Sequence, residues 1–212
     1  NYSGQFWGAV TRTGGSITLA YDNGYFGAYA GPSYYYYKGE NVKSNHMVGF
    51  NAGVYTRVIN EKKQKLSVGV DANYMNFDKN QNRFSYGYGG YFSPQDYYSI
   101  AIPVNYSRQW KNLDLEVSAS IGYQSFSAKG GDYFPTNKIW QETLDELYAV
   151  GLVSNSTYSN DDKSGVSGSF KVKLDYDVND AFKVGGMFNY NTFGDYKEYS
   201  EMLYFKYLMG VI

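Results

Sequence analysis

Residues 113–122 read Leu113-Asp114-Leu115-Glu116-Val117-Ser118-Ala119-Ser120-Ile121-Gly122, apolar and polar in strict turn. Successive side chains of a strand point to opposite faces, so one face collects leucine, valine, alanine and isoleucine and the other collects Asp114, Glu116, Ser118 and Ser120. The same period returns at 66–75, where Leu66, Val68, Val70, Ala72 and Tyr74 alternate with Ser67, Gly69, Asp71, Asn73 and Met75. Carboxylates stand in mid-strand on the wet face, while the greasy face carries no charge over the same spans. Long strands of this kind, ending in tyrosines and joined mostly by short loops, predict an all-β fold, an antiparallel transmembrane β-barrel around a hydrated interior. A soluble β-sandwich shows the same alternation and is the structural alternative; it would fold in water without detergent.

Composition narrows the classes. With 212 residues one domain is expected, spanning 1–212. Nineteen basic against twenty acidic side chains leave a net charge of −1, which gives no field for a nucleic acid. Cysteine is absent, excluding disulfides and thiolate metal sites, and no cofactor or metal is expected. A mean hydropathy of −0.51 is too polar for helical membrane spans, and no run of about twenty apolar residues exists. For a barrel that polarity is no objection, because half of each strand faces water. Tyrosine, with 26 copies, suits the headgroup level at strand ends, where ring and hydroxyl are both satisfied.

Patterning and turn residues place eleven strands at about 4–12, 16–21, 25–38, 46–59, 65–77, 83–90, 97–109, 113–128, 165–178, 181–193 and 199–211. Turns are expected at Thr13-Gly14-Gly15, Asp22-Asn23-Gly24 and Glu61-Lys62-Lys63. Pro103, which lacks a ladder donor, suggests a bulge in the seventh strand. One long connection, 129–164, holds a helical pattern in which Ile139, Trp140, Thr143, Leu144, Leu147 and Tyr148 recur at three- and four-residue steps. Thr136 is placed to cap its start and Gly151 to end it. If the last strand ends in the periplasm, parity puts 129–164 outside and the turns at 110–112 and 179–180 inside, in keeping with long outer and short inner loops. The helical loop is then expected to lie over the mouth as a gate, with Trp140, Leu144 and Tyr148 on it. Eleven strands is odd where single-chain bacterial barrels have even numbers, so a chain beginning at Asn1 reads as the C-terminal part of a larger barrel of which it supplies eleven or twelve strands.

The wet parity supplies Arg57, Asp71, Asn73, Asp114, Glu116, Lys171, Lys173 and Asp175 as candidates for a solute path, with Asp177, Lys183 and Lys206 beside them. Mixed signs among serine, asparagine and glycine suit a neutral, hydroxyl-rich solute, since ion-selective pores show rings of one sign. Salt bridges that merely fill the interior are the plainer account of any one of them. An enzyme is not expected. The single histidine, His46, excludes most triads, and Asp114/Glu116, two apart on one face, would have to do glycosidic chemistry across about 7 Å. Gly87–Gln95 is glycine-rich but lacks the Lys-Ser/Thr and following helix of a phosphate loop; it reads as a strand end and tight turn.

The block Gly89-Gly90-Tyr91-Phe92-Ser93-Pro94-Gln95, followed by Tyr97, Ser99 and Pro103-Val104-Asn105-Tyr106, resembles the C-terminal barrel of cellulose synthase operon protein C. Trp7-Gly8, Tyr21-Asp22, Gly39-Glu40-Asn41-Val42, Pro135-Thr136 and Trp140-Gln141-Glu142 extend the resemblance over nearly the whole chain. It implies an outer-membrane channel exporting cellulose or a related β-glucan, the C-terminal part of a sixteen-stranded barrel behind a periplasmic array of tetratricopeptide repeats. The implied partners are the exopolysaccharide in transit, outer-membrane lipid and an inner-membrane polysaccharide synthase reached through the periplasmic region. The alternative function is a general diffusion porin or structural outer-membrane barrel without polymer specificity.

Overall fold

The structure, a computed structural model, describes residues 6–193 and 196–209. In chain order the elements are β1 (Gly8–Ser16), β2 (Leu19–Asp22), β3 (Phe26–Glu40), β4 (Val42–Glu61), β5 (Gln64–Phe77), β6 (Asp96–Gln109), β7 (Leu113–Ala128), β8 (Gly131–Asp132), α1 (Lys138–Ala149), β9 (Thr157–Tyr158), β10 (Asp161–Asp177), β11 (Phe182–Phe193) and β12 (Tyr196–Tyr207). All strands but β8 and β9 join one antiparallel sheet in the order β1-β3-β4-β5-β6-β7-β10-β11-β12, with β2 also on β3. The fold is therefore all-β and antiparallel, as the alternation requires. Among the described residues no helix is long and apolar enough to cross a membrane.

Three expectations change. No turn forms at 13–15; Ser16 pairs with Ser33 and Leu19 with Ala30, so β1 and β2 are one strand position interrupted at Ile17–Thr18. Gly14 is there for close approach, since a Cβ would run into the Tyr34 carbonyl. The strand expected at 83–90 is absent; residues 78–95 form a second long connection, turned by Gly87 and Gly90 at φ +85° and +70°. Pro103 makes no bulge: β5 keeps one register with β6 from Lys65↔Ser107 to Met75↔Tyr97 and merely skips the pairs beside the proline. The last strand, expected to reach 211, is described to Tyr207; residues 4–5 of the expected first strand and 210–211 of the last lie outside the described residues.

The turn at Asn23-Gly24 holds, with the Asn23 side chain accepting from the Tyr25 and Phe26 N–H groups at 3.0 and 2.8 Å. Strands β3 and β4 run on to a tight turn at Asn41, whose φ of +49° suits asparagine. The described connections between strands of the sheet fall into two sets. Residues 41, 78–95 and 129–160 lie at one rim, and the turns after β2, β4, β6 and β10 lie at the other. Loop length and parity thus agree, with two long loops rather than one on the same side.

The register stacks like faces across the sheet. Val68, Val104, Ala119 and Phe170 form one outward row, and Leu115 faces Leu174. This face stays bare: Ile102, Ile121 and Val166 are 50%, 62% and 63% exposed, and no second sheet covers them among the described residues. A sandwich would bury that face, so the sandwich alternative is not what forms. The opposite, polar face lines the concave side. The sheet does not close, and its two edge strands, β1–β2 and β12, run in the same direction from the long-loop rim to the short-turn rim.

Candidate functional site

Strands β1, β3, β4, β5, β6, β7, β10 and β11 all contribute to a single cavity of about 1000 Å³ on the concave face, which only a curled sheet allows. Most of the residues lining it are of the wet parity, joined by Phe50, Tyr74 and Thr192 of the other parity and by Phe92 of the loop. Hydroxyls and amides, among them Ser33, Asn51, Asn73, Ser120, Gln124 and Asn191, stand between methionine and aromatic side chains such as Met47, Met75 and Phe126, and no charged residue lines it. They bond to one another across strands: the Asn73 amide donates to the Ser99 hydroxyl at 3.3 Å, Tyr97 donates to Gln124 at 2.9 Å, and Ser120 and Ser169 lie 2.6 Å apart. At the long-loop end Phe92 stands edge-on to Tyr97 and Phe126, with ring centroids 6.0 and 5.2 Å away. The arrangement is a neutral trough of exchangeable hydrogen-bond partners ending at aromatic edges.

Charge lies nearer the short-turn rim, in pairs. Lys173 bridges Glu116 at 3.0 Å and Asp175 at 3.1 Å; Lys183 bridges Asp177 at 3.1 Å and Asp114 at 3.4 Å; Lys206 stands 3.7 Å from Asp175. Asp175, 6% exposed, also accepts from the Tyr204 hydroxyl at 2.6 Å. Across the trough the Arg57 guanidinium clasps Asp22, which accepts from Tyr55 as well, and Tyr29 donates to Asp71 at 2.7 Å. Gly53 leaves the space for that last bond, since a Cβ there would meet both the Tyr29 ring and the Asp71 carboxylate. Tyrosine thus does two jobs. Tyr29, Tyr55, Tyr97 and Tyr204 face inward as donors, whereas only the outward ones, such as Tyr34, Tyr98, Tyr123 and Tyr176, stand where a girdle would.

A cap closes over the long-loop rim. Residues 78–95 fold back onto the concave face, where Tyr91 stacks on Tyr37 at 4.8 Å and packs on Phe77. Asn45, fully buried on β4, holds the loop base: its amide donates to the Lys79 carbonyl at 2.7 Å and its oxygen accepts from the Lys79 N–H at 2.9 Å. Ser93 accepts from the Gln81 N–H at 2.6 Å, and Gln95 takes the Lys129 N–H at 2.7 Å, joining the two long loops. Above them α1, capped by Asn137 rather than Thr136, sets Trp140 against Tyr86 at 5.5 Å; Gly151, at φ +77°, follows its last turn as expected. Leu144 is half-buried, while Tyr148 and Ile139 point to solvent at 52% and 74% exposure, so the helical stripe packs only in part.

Burial pushes the Tyr88 and Tyr91 phenols up from the usual 10 to about 12. A folded-state value above the unfolded one makes the contribution of these tyrosines whole below pH 10 and lost as pH climbs through 12. Near-ultraviolet circular dichroism of the Tyr91–Tyr37 stack is expected to hold at pH 9 and to fade between pH 10 and 12. Tyr91→Phe, which cannot ionise at that position, should shift the fade upward; an unchanged midpoint would count against the assignment.

Residues 1–210 match the family described as the cellulose synthase operon protein C C-terminus. The chain belongs to that family. It is 34% identical to cellulose synthase operon protein C of Xanthomonas axonopodis pv. citri over 216 residues, covering 98% of this chain and 14% of that protein. For the proteins of the same name from Pseudomonas fluorescens and Komagataeibacter xylinus the figures are 32% over 206 residues and 30% over 213, covering 97% and 98% of this chain and 15% and 16% of theirs. The chain thus spans about a seventh of the length of these curated relatives. The block Gly89–Gln95 that resembled this family lies in the cap, with Ser93, Pro94 and Gln95 buried and Phe92 half-exposed.

Of the sequence candidates, only Asn73 lines the main cavity. Arg57 and Glu116 come together lower down, in a hollow of about 380 Å³ with Ser67, Asn105 and Ser118. Asp71, Asp114, Lys173 and Asp175 are held in the bonds above, and Lys171, exposed on the row of Ser118 and Asn189, has no ion-pair partner among the described residues. Each carboxylate considered for glycosidic chemistry is engaged by a lysine, Glu116 by Lys173 and Asp114 by Lys183. Asn51 and Gln124 were legible from parity but passed over for charge; Asn45, Gln81 and Gln95 had no sequence signal, because their roles depend on the loop folding inward.

Proposed function

We propose that the chain is the C-terminal part of an outer-membrane β-barrel that conducts a nascent exopolysaccharide, cellulose or a related β-glucan, passively across the outer membrane. One observation carries this reading: the sheet curls with a neutral cavity bearing hydroxyls and amides on its concave side, paired charges below it, and a bare apolar face outside. Sugar hydroxyls exchange bonds with Asn51, Asn73, Gln124 and the paired serines, while the C–H faces of the rings meet Phe92, Tyr97 and Phe126. Binding stays weak and repeated along the path, as conduction demands. No cofactor takes part and no bond is made or broken, since synthesis at the inner membrane pushes the polymer.

An open sheet edge cannot stand in hydrocarbon, where unpaired backbone groups cost several kcal/mol each. Because β1–β2 and β12 run the same way, antiparallel closure needs an odd number of further strands between them. That suits nine positions in a sixteen-stranded barrel whose remaining strands come from elsewhere in the protein, beyond a periplasmic region that reaches the synthase. The loops 78–95 and 129–160 face the cell exterior, and the cap they form, with Trp140, Leu144 and Tyr148 on its upper layer, gates the exit.

In planar bilayers the whole protein is expected to show ion conductance that cello-oligosaccharides reduce in a length-dependent way. Conductance indifferent to every oligosaccharide would leave a general porin instead.

A further inference from the structure

The turns after β4 and β6 lie side by side at the short-turn rim: Gln64 pairs with Arg108, and the Gln109 N–H donates to the Lys63 carbonyl at 2.8 Å. Together they expose Lys62, Lys63, Arg108 and Lys111, none of which makes an ion pair among the described residues, and Glu61 is the one carboxylate on either turn. The acids deeper in the same rim are committed elsewhere, Asp114 and Asp177 to Lys183, Glu116 and Asp175 to Lys173. Positive charge is thus concentrated on the two turns, where Lys62, Lys63 and Arg108 border a hollow whose acids, Asp114, Glu116 and Asp175, are each already bonded to a lysine of the sheet. Trp110, 40% exposed, sits within it, with the Arg108 guanidinium 5.0 Å from its ring centroid. Arg108 pairs with Leu115 on the outward parity, in one row with Leu115 and Leu174 and directly below the row of Val117 and Val172.

We infer that this corner of the rim, Lys62, Lys63, Arg108 and Lys111 around Trp110, is a docking surface for the headgroups of anionic phospholipids. The inference rests on the membrane-barrel reading above. An indole at the lower boundary of an apolar face marks the headgroup level, and cations placed at that level meet phosphate oxygens. An acidic polypeptide would need the cations but neither the indole nor the apolar row above it, so lipid is the occupant that accounts for all three.

The test uses the whole protein reconstituted in phosphatidylcholine vesicles with trace spin-labelled phosphatidylglycerol or phosphatidylcholine. The motionally restricted fraction is read for each label by electron paramagnetic resonance. Wild type should prefer phosphatidylglycerol by about threefold or more at low salt, with the preference collapsing at high salt. The variant K62Q/K63Q/R108Q/K111Q should lose most of it and K62Q/K63Q part of it, both keeping the heat-resistant gel mobility of a folded barrel. A preference that survives all four substitutions overturns the inference. So does equal binding of both lipids by wild type, and if poly-glutamate then binds wild type and not the variant, the surface belongs to an acidic polypeptide. Absence of any restricted component for either label would sink the membrane reading itself, a separate outcome.

Discussion

Arginine at Ile102 or Ile121 is expected to destabilise the folded protein in vesicles by about 2–4 kcal/mol, the cost of a cation on the lipid face near the midplane of a barrel. Both side chains are half-exposed or more and face each other across β6 and β7 in the centre of the bare apolar face. Three residues from Ile102 along β6 in either direction, and so on the opposite parity, arginine at Ser99 or Asn105 enters the wet concave side, and the change should stay within about 0.5 kcal/mol, the ordinary range for substitutions away from packed features. Urea unfolding in vesicles, followed by tryptophan emission, reads both sets. The alternation of faces is the point of the comparison, since a soluble sheet would tolerate arginine at Ile121 as readily as at Asn105. Spin labels at Val68, Val117 and Val172 reached by aqueous quenchers, with Asp71 and Glu116 shielded, would reverse the assignment of faces and remove the barrel with it.

Replacing residues 78–95 by a tight Asn-Gly turn is expected to raise single-channel conductance several-fold, whereas trimming the helical loop between β8 and β9 should raise it little. The difference follows from what each loop touches. Residues 78–95 lie on the trough wall itself, with Tyr91 on Tyr37 and Phe77 and with Phe92 against Tyr97 and Phe126. The helix reaches the trough only through that loop, by Trp140 on Tyr86 and by the bond from the Tyr88 hydroxyl to the Asp132 carbonyl at 2.7 Å. Asn45→Ala is a milder form of the first change, because it strands the Lys79 backbone groups that the asparagine satisfies. It should make the open state more frequent without altering the fully open conductance. Equal conductance after both loop replacements would remove 78–95 from the gate.

The membership of the family and the all-β architecture were legible because both depend on local signals: period-two alternation and a glycine-aromatic-proline block. Turn chemistry was legible where one residue type decides it, as at Asn23 and Gly151, and failed at 13–15, where glycines that look like a turn serve instead to let β1 approach β3. The charged candidates were placed on the correct face, yet all the charged ones stand off the main cavity. Parity fixes the side of a sheet on which a residue stands, but the partner strand decides whether a lysine across from it cancels its charge, as Lys173 does for Glu116.

By itself, the amino-acid order determined which side chains share a face, and so which face is greasy and which is wet, because a strand admits only two directions for its side chains. Which wet residues meet, and the inward fold of 78–95 that buries Ser93, Pro94 and Gln95 of the family block, were decided by tertiary structure. Both depend on contacts between residues far apart in the chain, Asn45 with Lys79 and Tyr37 with Tyr91, whose energies no local pattern encodes.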